Sequence, residues 1–293
     1  MAIKAELVAC DTADGLVNHG LWFAAPDGGS TCVVHVHGAC SNFYQEPFIN
    51  PLAEALTAVG VSFLTVNTRG HDAEAYVIGR SAGPQRESWQ IGTRRDIFSQ
   101  CTCDLDAWLA FARERGARRI VLSGHSAGAV KVAHVAAQAT DADLVGLIVL
   151  SPGDTLSHNL RQDGDPPLEE QLAEARKLVE ADPAAMRPER FLSAAAFLSM
   201  FDNPTIAGVF AFSDPDVMAE SSWPKLTTPA LAIFGSDDAG YATGIEQNVE
   251  LLEKLRHPGA PLAVEIIKTT DHYFAGKEDQ LASLVADWVA GLR

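Results

Sequence analysis

Basic residues are scarce in this sequence. Against 38 Asp and Glu stand 22 Lys and Arg in 293 residues, a formal net charge of −16 at pH 7. A nucleic-acid partner needs clustered cations to neutralise phosphates, and this balance excludes one. No polybasic patch is present to hold the chain on an anionic membrane. Long apolar runs are missing too: Leu144 to Leu150, the longest in a strand-like pattern, falls far short of the ~20 residues that span a bilayer. Met1 to Cys10 has no sustained apolar stretch, so no secretion leader is expected. The five cysteines are an odd number, which predicts reduced thiols and a cytoplasmic location rather than a disulfide framework. Cys101 and Cys103 sit two apart, which is not zinc-ligand spacing.

Short β-branched runs alternate with longer helical patterns. Thr31 to His37, Val61 to Val66, Arg119 to Leu122, Leu144 to Leu150, Ala230 to Phe234 and Ala263 to Ile267 read as strands. Phe48 to Val59, Asp96 to Arg115, Ala127 to Ala139, Ile245 to Leu255 and Lys277 to Leu292 read as helices between and after them. Nearly continuous apolar strands separated by helices predict a mostly parallel central sheet with helices on both faces, an α/β fold. The alternation stops after Pro152. Between Thr155 and Glu220 the pattern offers only amphipathic helices, Pro167 to Ala181 and Arg187 to Phe201. We therefore expect one catalytic domain, residues 1–154 and 221–293, interrupted by a helical cap over 155–220.

The segment Ile120 to Gly128 contains Gly124-His-Ser-Ala-Gly128, directly after a strand and directly before a helix. In that context G-x-S-x-G places its serine on a sharp turn above the sheet edge. Ser126 is the expected nucleophile, and the Ala127 N–H, at a helix N-terminus, is an expected oxyanion donor. A serine hydroxyl needs a base, and the base needs an orienting acid, here in the order Ser, acid, His. Asp237 and Asp238 follow the strand ending at Phe234, and His272 follows the next strand. Asp238 is preferred over Asp237. The second oxyanion donor should come from His37-Gly-Ala-Cys40, with Ala39 preferred over Cys40. His35 and His37 could pair on a metal, but no third ligand is placed near them, so no metal and no organic cofactor is expected.

With these pieces in place the chain resembles the α/β-hydrolase superfamily over nearly its whole length. The matching residues are His37-Gly38, Asn67-Thr-Arg-Gly-His71, Gly124 to Gly128, Gly235-Ser-Asp-Asp238 and Asp271-His272. The resemblance implies Ser126 as nucleophile, Asp238 as orienting acid, His272 as base and a cap where the helical block lies. The stretches 37–44 and 103–108 are similar to the branch that holds fungal fusarinine-type siderophore esterases, a branch across which substrate does not transfer.

The expected activity is hydrolysis of a carboxylic ester of a small or medium, neutral substrate through an acyl-enzyme on Ser126. The same three residues also serve amide, thioester and C–C bond hydrolysis and acyl transfer, and a hydrolase scaffold can be a non-catalytic binding protein. Residues 155–220 hold 12 acids against 5 bases. Acids at the mouth of the site would favour neutral or cationic substrates. Phe191, Phe197, Met200, Phe201, Phe210, Phe212 and Trp223 are either cap core or substrate lining. The segment His71 to Arg95, with Tyr76 and Trp89, is either pocket lining or a solvated loop.

Overall fold

The computed structural model describes residues 3–26, 28–79, 88–154, 156–157 and 165–292. Eight of its strands form one sheet. These are β1 (Glu6–Asp11), β2 (Val17–Phe23), β3 (Thr31–Val36), β4 (Ser62–Val66), β7 (Arg119–His125), β8 (Leu144–Leu150), β9 (Ala230–Gly235) and β10 (Leu262–Ile267). Their spatial order is β1-β2-β4-β3-β7-β8-β9-β10. The first two are antiparallel additions at one edge, and β4, β3, β7, β8, β9 and β10 run parallel. After β3 the chain builds outward to β4, then returns to lay β7 on the other side of β3. Loops leaving β3 and β7 therefore part in opposite directions, opening a crevice at the carboxyl ends of these strands.

Alternation along the strands fills two cores. Val34, Val36, Leu64, Leu122 and Val149 face α2 (Cys101–Glu114) and α3 (Ala127–Gln138). Val33, Phe63, Val121, Ile148 and Ile233 face α1 (Ile49–Ala58) and α9 (Glu278–Gly291). All five residues of β4 are buried, Ser62 and Thr65 included, and burial on both faces is why the parallel strands read as nearly continuous apolar runs. β1 and β2 escaped the sequence reading because β1 lies at a solvated edge and buries only Val8 of its six residues.

Two helices differ from expectation. Asp96 to Arg115 is helical only from Cys101, preceded by single 3-10 turns at Thr93–Arg95 and Phe98–Gln100. Asp96 and Ile97 are extended, and the Asp96 side chain turns inward to Lys131. Arg187 to Phe201 is helical only over Ala194–Phe201. Pro188 disfavours helical backbone at Arg187. Glu189 then takes φ 55°, and Met186 bridges back to Ser193. The other helices between β8 and β9 are α4 (Leu168–Ala181), α6 (Pro204–Ala207) and α7 (Pro215–Glu220), with α5 being Ala194–Phe201. Helix α8 (Ile245–Leu255) follows β9. Thr155 and residues 158–164, the start of the expected cap, lie outside the described residues. The segment His71 to Arg95, expected as pocket lining or loop, contains an antiparallel pair of strands, β5 (Ala75–Ile78) and β6 (Ser88–Ile91), and sends Thr93 to the cavity wall, but not Tyr76 or Trp89. No helix of the described residues is long and apolar enough to cross a membrane.

Candidate active site

β7 ends at His125, and Ser126 takes φ 52° and ψ −119° before α3 begins at Ala127. That is a crowded conformation for any residue with a Cβ, and it persists only where the surroundings enforce it. They do so here by close approach. A Cβ on Gly124 would stand 2.4 Å from the Gly128 carbonyl, and one on Gly128 would stand 2.3 Å from the Val36 oxygen. The Ser126 N–H donates to Leu150 O at 2.9 Å, and its carbonyl accepts from Ala129 N–H at 3.1 Å. The turn is thus pinned between β8 and α3.

Ser126 and Ala127 line a cavity of about 700 Å³. Its walls come from the loops after β3, β4, β8, β9 and β10, all at the carboxyl edge of the sheet, and from the segment between β8 and β9. His272, Asp238 and Ala39 line the same cavity. His272 Nδ1 donates to Asp238 Oδ2 at 2.7 Å, and the Gly240 N–H donates to Asp238 Oδ1 at 2.8 Å. Burial works to raise the Asp238 carboxyl, but the hydrogen bond and charge of His272 and the Gly240 N–H hold it below its ordinary value. Asp237 does not reach His272. It is exposed, and its carboxylate accepts from the Ser236 hydroxyl at 2.6 Å. The Cys40 N–H is engaged by Thr93 Oγ1 at 2.8 Å, while Ala39 beside it faces the cavity.

Behind the Ser126 turn lies a cluster that periodicity could not reveal. Glu46 is buried, with Oε1 accepting from His125 Nδ1 at 2.9 Å and from Gly38 N–H at 2.8 Å. Its Oε2 accepts from His35 Nε2 at 3.1 Å. The other nitrogen of His125 meets the His272 carbonyl oxygen at 2.9 Å. Both ring nitrogens of His125 face acceptors, an arrangement that favours the doubly protonated, cationic ring. Burial opposes this charge, but Glu46 raises His125 above its ordinary value, and Glu46 in turn is held far below its own. The network ties the Gly38 loop, the Ser126 turn and the His272 loop to one carboxylate. The sequence showed an acid ahead of an apolar helix and a histidine inside the motif, but nothing in their spacing joined them.

His35 and His37, the two histidines weighed as a metal pair, are both committed to protein partners. His35 pairs with Ser123 Oγ at 3.0 Å and with Glu46. His37 donates from Nδ1 to Gly38 O at 2.8 Å and accepts the Thr68 N–H at 3.3 Å. Burial, helped by the Lys131 charge, pushes His37 down to about 4. Of the motif Asn67 to His71, Arg69 braces the loop through Asp14, Asp104 and Gln100 and does not line the cavity.

The aromatic set divides. Phe191, Phe197 and Met200 line the cavity, whereas Phe201, Phe210, Phe212 and Trp223 are packed in the core. Among the described residues, three hydrogen bonds of Arg94 and Arg95 tie the Thr93–Asp96 stretch to the segment after β8. Arg94 Nε donates to Phe191 O at 3.0 Å, Arg95 Nη1 donates to Ala184 O at 3.0 Å, and the Ser193 N–H donates to Arg94 O at 2.8 Å. Tyr241, which the sequence did not single out, lines the cavity and donates to Pro152 O at 2.9 Å.

A doubly covered parallel sheet, a strained serine between β7 and α3, and a cavity at the sheet's carboxyl edge define the α/β-hydrolase class. The family model of the alpha/beta hydrolase family matches residues 33–286, and the chain belongs to that family. No protein of curated description matches it by sequence. Solved structures share the fold. Est1E of Butyrivibrio proteoclasticus, determined with ferulic acid bound, is 17% identical with a TM-score of 0.67, covering 96% of this chain and 98% of that one. A Pyrococcus furiosus esterase is 17% identical with a TM-score of 0.59, covering 99% and 92%. A Paleococcus ferrophilus monoacylglycerol lipase is 17% identical with a TM-score of 0.58, covering 97% and 98%.

Proposed function

We propose that this protein is a serine hydrolase that cleaves a carboxylic ester of a small or medium substrate through an acyl-enzyme on Ser126. The observation that carries the reading is the shared cavity of Ser126 and His272, with His272 Nδ1 held by Asp238 at 2.7 Å. That hydrogen bond fixes one tautomer and makes Nε2 the basic nitrogen. In the proposed reaction His272 takes the Ser126 proton as Oγ attacks the acyl carbon. The N–H groups of Ala127 and Ala39 receive the developing oxyanion. Cys40 is less suited to this role because its N–H is already bound to Thr93. His272 then protonates the leaving alcohol and activates the water that frees Ser126.

Residues 155–220 act in this reading as a cap over the catalytic domain formed by 1–154 and 221–293. The residues that this segment sends to the cavity wall support the assignment. Esters are favoured over amides by what is said of the structural neighbours, two of which are named as an esterase and a lipase.

The test is covalent labelling. A fluorophosphonate should add one adduct to the wild-type protein, seen by intact mass, and none to Ser126→Ala. An unlabelled wild type, or an adduct that survives in Ser126→Ala, would overturn the reading. A panel of matched aryl esters, thioesters and anilides then ranks the bond cleaved, with esters expected fastest.

A further inference from the structure

Among the described residues of 155–220, no acid lines the cavity. From them the cavity wall receives Arg187, Arg190, Phe191, Leu192, Phe197 and Met200. This end of the cavity therefore presents apolar surface and two guanidinium groups, of which that of Arg190 is already paired with Asp165.

The charges around the cavity differ in how they are satisfied. Lys131 pairs with Asp96, and Arg190 pairs with Asp165. Asp154 accepts the N–H groups of Ser157 and Ser213, at 3.0 Å and 2.9 Å. Asp238 is held by His272, and Asp271 accepts the N–H groups of Tyr273 and Ala275, both at 3.0 Å. Asp237, also at the wall, is exposed and accepts the Ser236 hydroxyl at 2.6 Å. Arg187 is the buried exception. It is 7% exposed, and no carboxylate pairs with it among the described residues. Nη2 donates to the neutral Gln171 Oε1 at 2.8 Å, and Nε is buried with no acceptor. The guanidinium carbon lies over the Phe197 ring, 3.7 Å from its centroid.

An unneutralised buried cation costs free energy unless something pairs with it. Here the side chain is also fixed before any ligand arrives. The guanidinium carbon lies over an aromatic ring, one edge is tied to an amide, and the Arg187–Pro188 turn holds the backbone. A planar fork held in this way is suited to a carboxylate, since little rotamer freedom remains to be lost on binding.

We infer that Arg187 is a carboxylate-binding residue, and that the substrate of this hydrolase carries a free carboxylate besides the ester it presents to Ser126. The inference rests on the ester-hydrolase reading for the bond cleaved and on Arg187 for the second group. It replaces the expectation of a neutral or cationic substrate, which assumed acids at the mouth. The carboxylate belongs either to the acyl part or to the leaving alcohol.

Two pairs of esters separate these sources. On the acyl side, the para-nitrophenyl monoester of glutaric acid is compared with para-nitrophenyl valerate. On the leaving side, para-acetoxybenzoate is compared with para-acetoxybenzamide. The wild type should favour the anionic member of one pair by about 10- to 100-fold in kcat/KM, the range of a charge-assisted fork contact. Arg187→Gln should erase that ratio, and Arg187→Lys, which keeps a charge without the fork, should retain part of it. A wild type with no anionic preference in either pair, or a preference that persists in Arg187→Gln, overturns the inference. If Arg187→Gln does not fold, the wild-type ratio and Arg187→Lys still decide. In the last arm, glutarate and benzoate are titrated calorimetrically into Ser126→Ala, with and without Arg187→Lys. Binding weakened by the second change supports Arg187 even if no ester is cleaved and Ser126 takes no label, which would sink the hydrolase reading alone. Binding unchanged by it counts against Arg187.

Discussion

The Glu46 carboxylate and the His125 imidazole stand 2.9 Å apart in a layer sealed from water, directly behind the turn that carries Ser126. Removing one partner of such a pair leaves the other charged, buried and alone, which typically costs about 3–5 kcal/mol. We expect Glu46→Gln to lose stability of that order, read as a lower urea midpoint at unchanged slope. Activity on any ester should fall with it, because the Gly38 loop and the His272 loop share the same anchor. A variant as stable and as active as the wild type would show that the cluster is ornamental.

The same pair sets a pH window. Glu46 is held below its ordinary value near 4.5, so its stabilisation is present above that pH and is lost as pH falls toward the lowered value. His125 is raised above its ordinary value near 6.5, so its stabilisation is complete below that pH and is lost as pH rises through the raised value. Their joint contribution is therefore fullest between pH 4.5 and pH 6.5. Melting temperature measured against pH should fall on both sides of this window, and Glu46→Gln should flatten both limbs. Parallel curves for the two proteins would refute the assignment.

Strain at Ser126 should reverse the usual order of two substitutions. Gly is ordinarily the weaker residue beside a helix, but at φ 52° and ψ −119° a Cβ is the liability. We expect Ser126→Gly to be more stable than Ser126→Ala by about 1 kcal/mol or more, with both inactive. Differential scanning calorimetry of the two variants measures it. Ala equal to or above Gly would mean that the turn stores no strain.

Asp237 and Asp238 are adjacent in sequence and unlike in place. Asp238→Asn would present the wrong group to His272 Nδ1, and a loss of about 10⁴-fold in kcat is the scale for a disabled orienting acid. Asp237→Asn should stay within about 2-fold of wild type, since an exposed carboxylate bonded to its neighbour screens readily. Equal losses in the two variants would require another orienting residue.

How legible was all this in the primary structure? The parallel strands were, because burial on both faces leaves nearly unbroken apolar runs such as those of β4 and β8. The edge strand β1 was not, although β10 at the other edge was. A strand like β1, with one buried side chain, has almost no pattern to read. The helix expected from Arg187 began late because Pro188 restricts the residue before it, a local rule that periodicity overrode in the reading. Around the cavity, the spacing of Ser126, Asp238 and His272 was informative because each follows a strand at the sheet's carboxyl edge.

What the sequence determined by itself was order and kind: which strands are central, where a serine must turn sharply, and which acid and histidine follow it on later strands. These depend on periodicity and on local backbone sterics, which act over a few residues. Tertiary structure decided everything that depends on which distant groups share a dry space. It separated Asp237 from Asp238, engaged the Cys40 N–H and left Ala39 at the cavity, and joined Glu46 to His125 and His35. It also turned an acidic segment so that its arginines face inward. Net charge is additive along a chain, but the field inside a cavity depends on which side chains fold toward it and which already have partners.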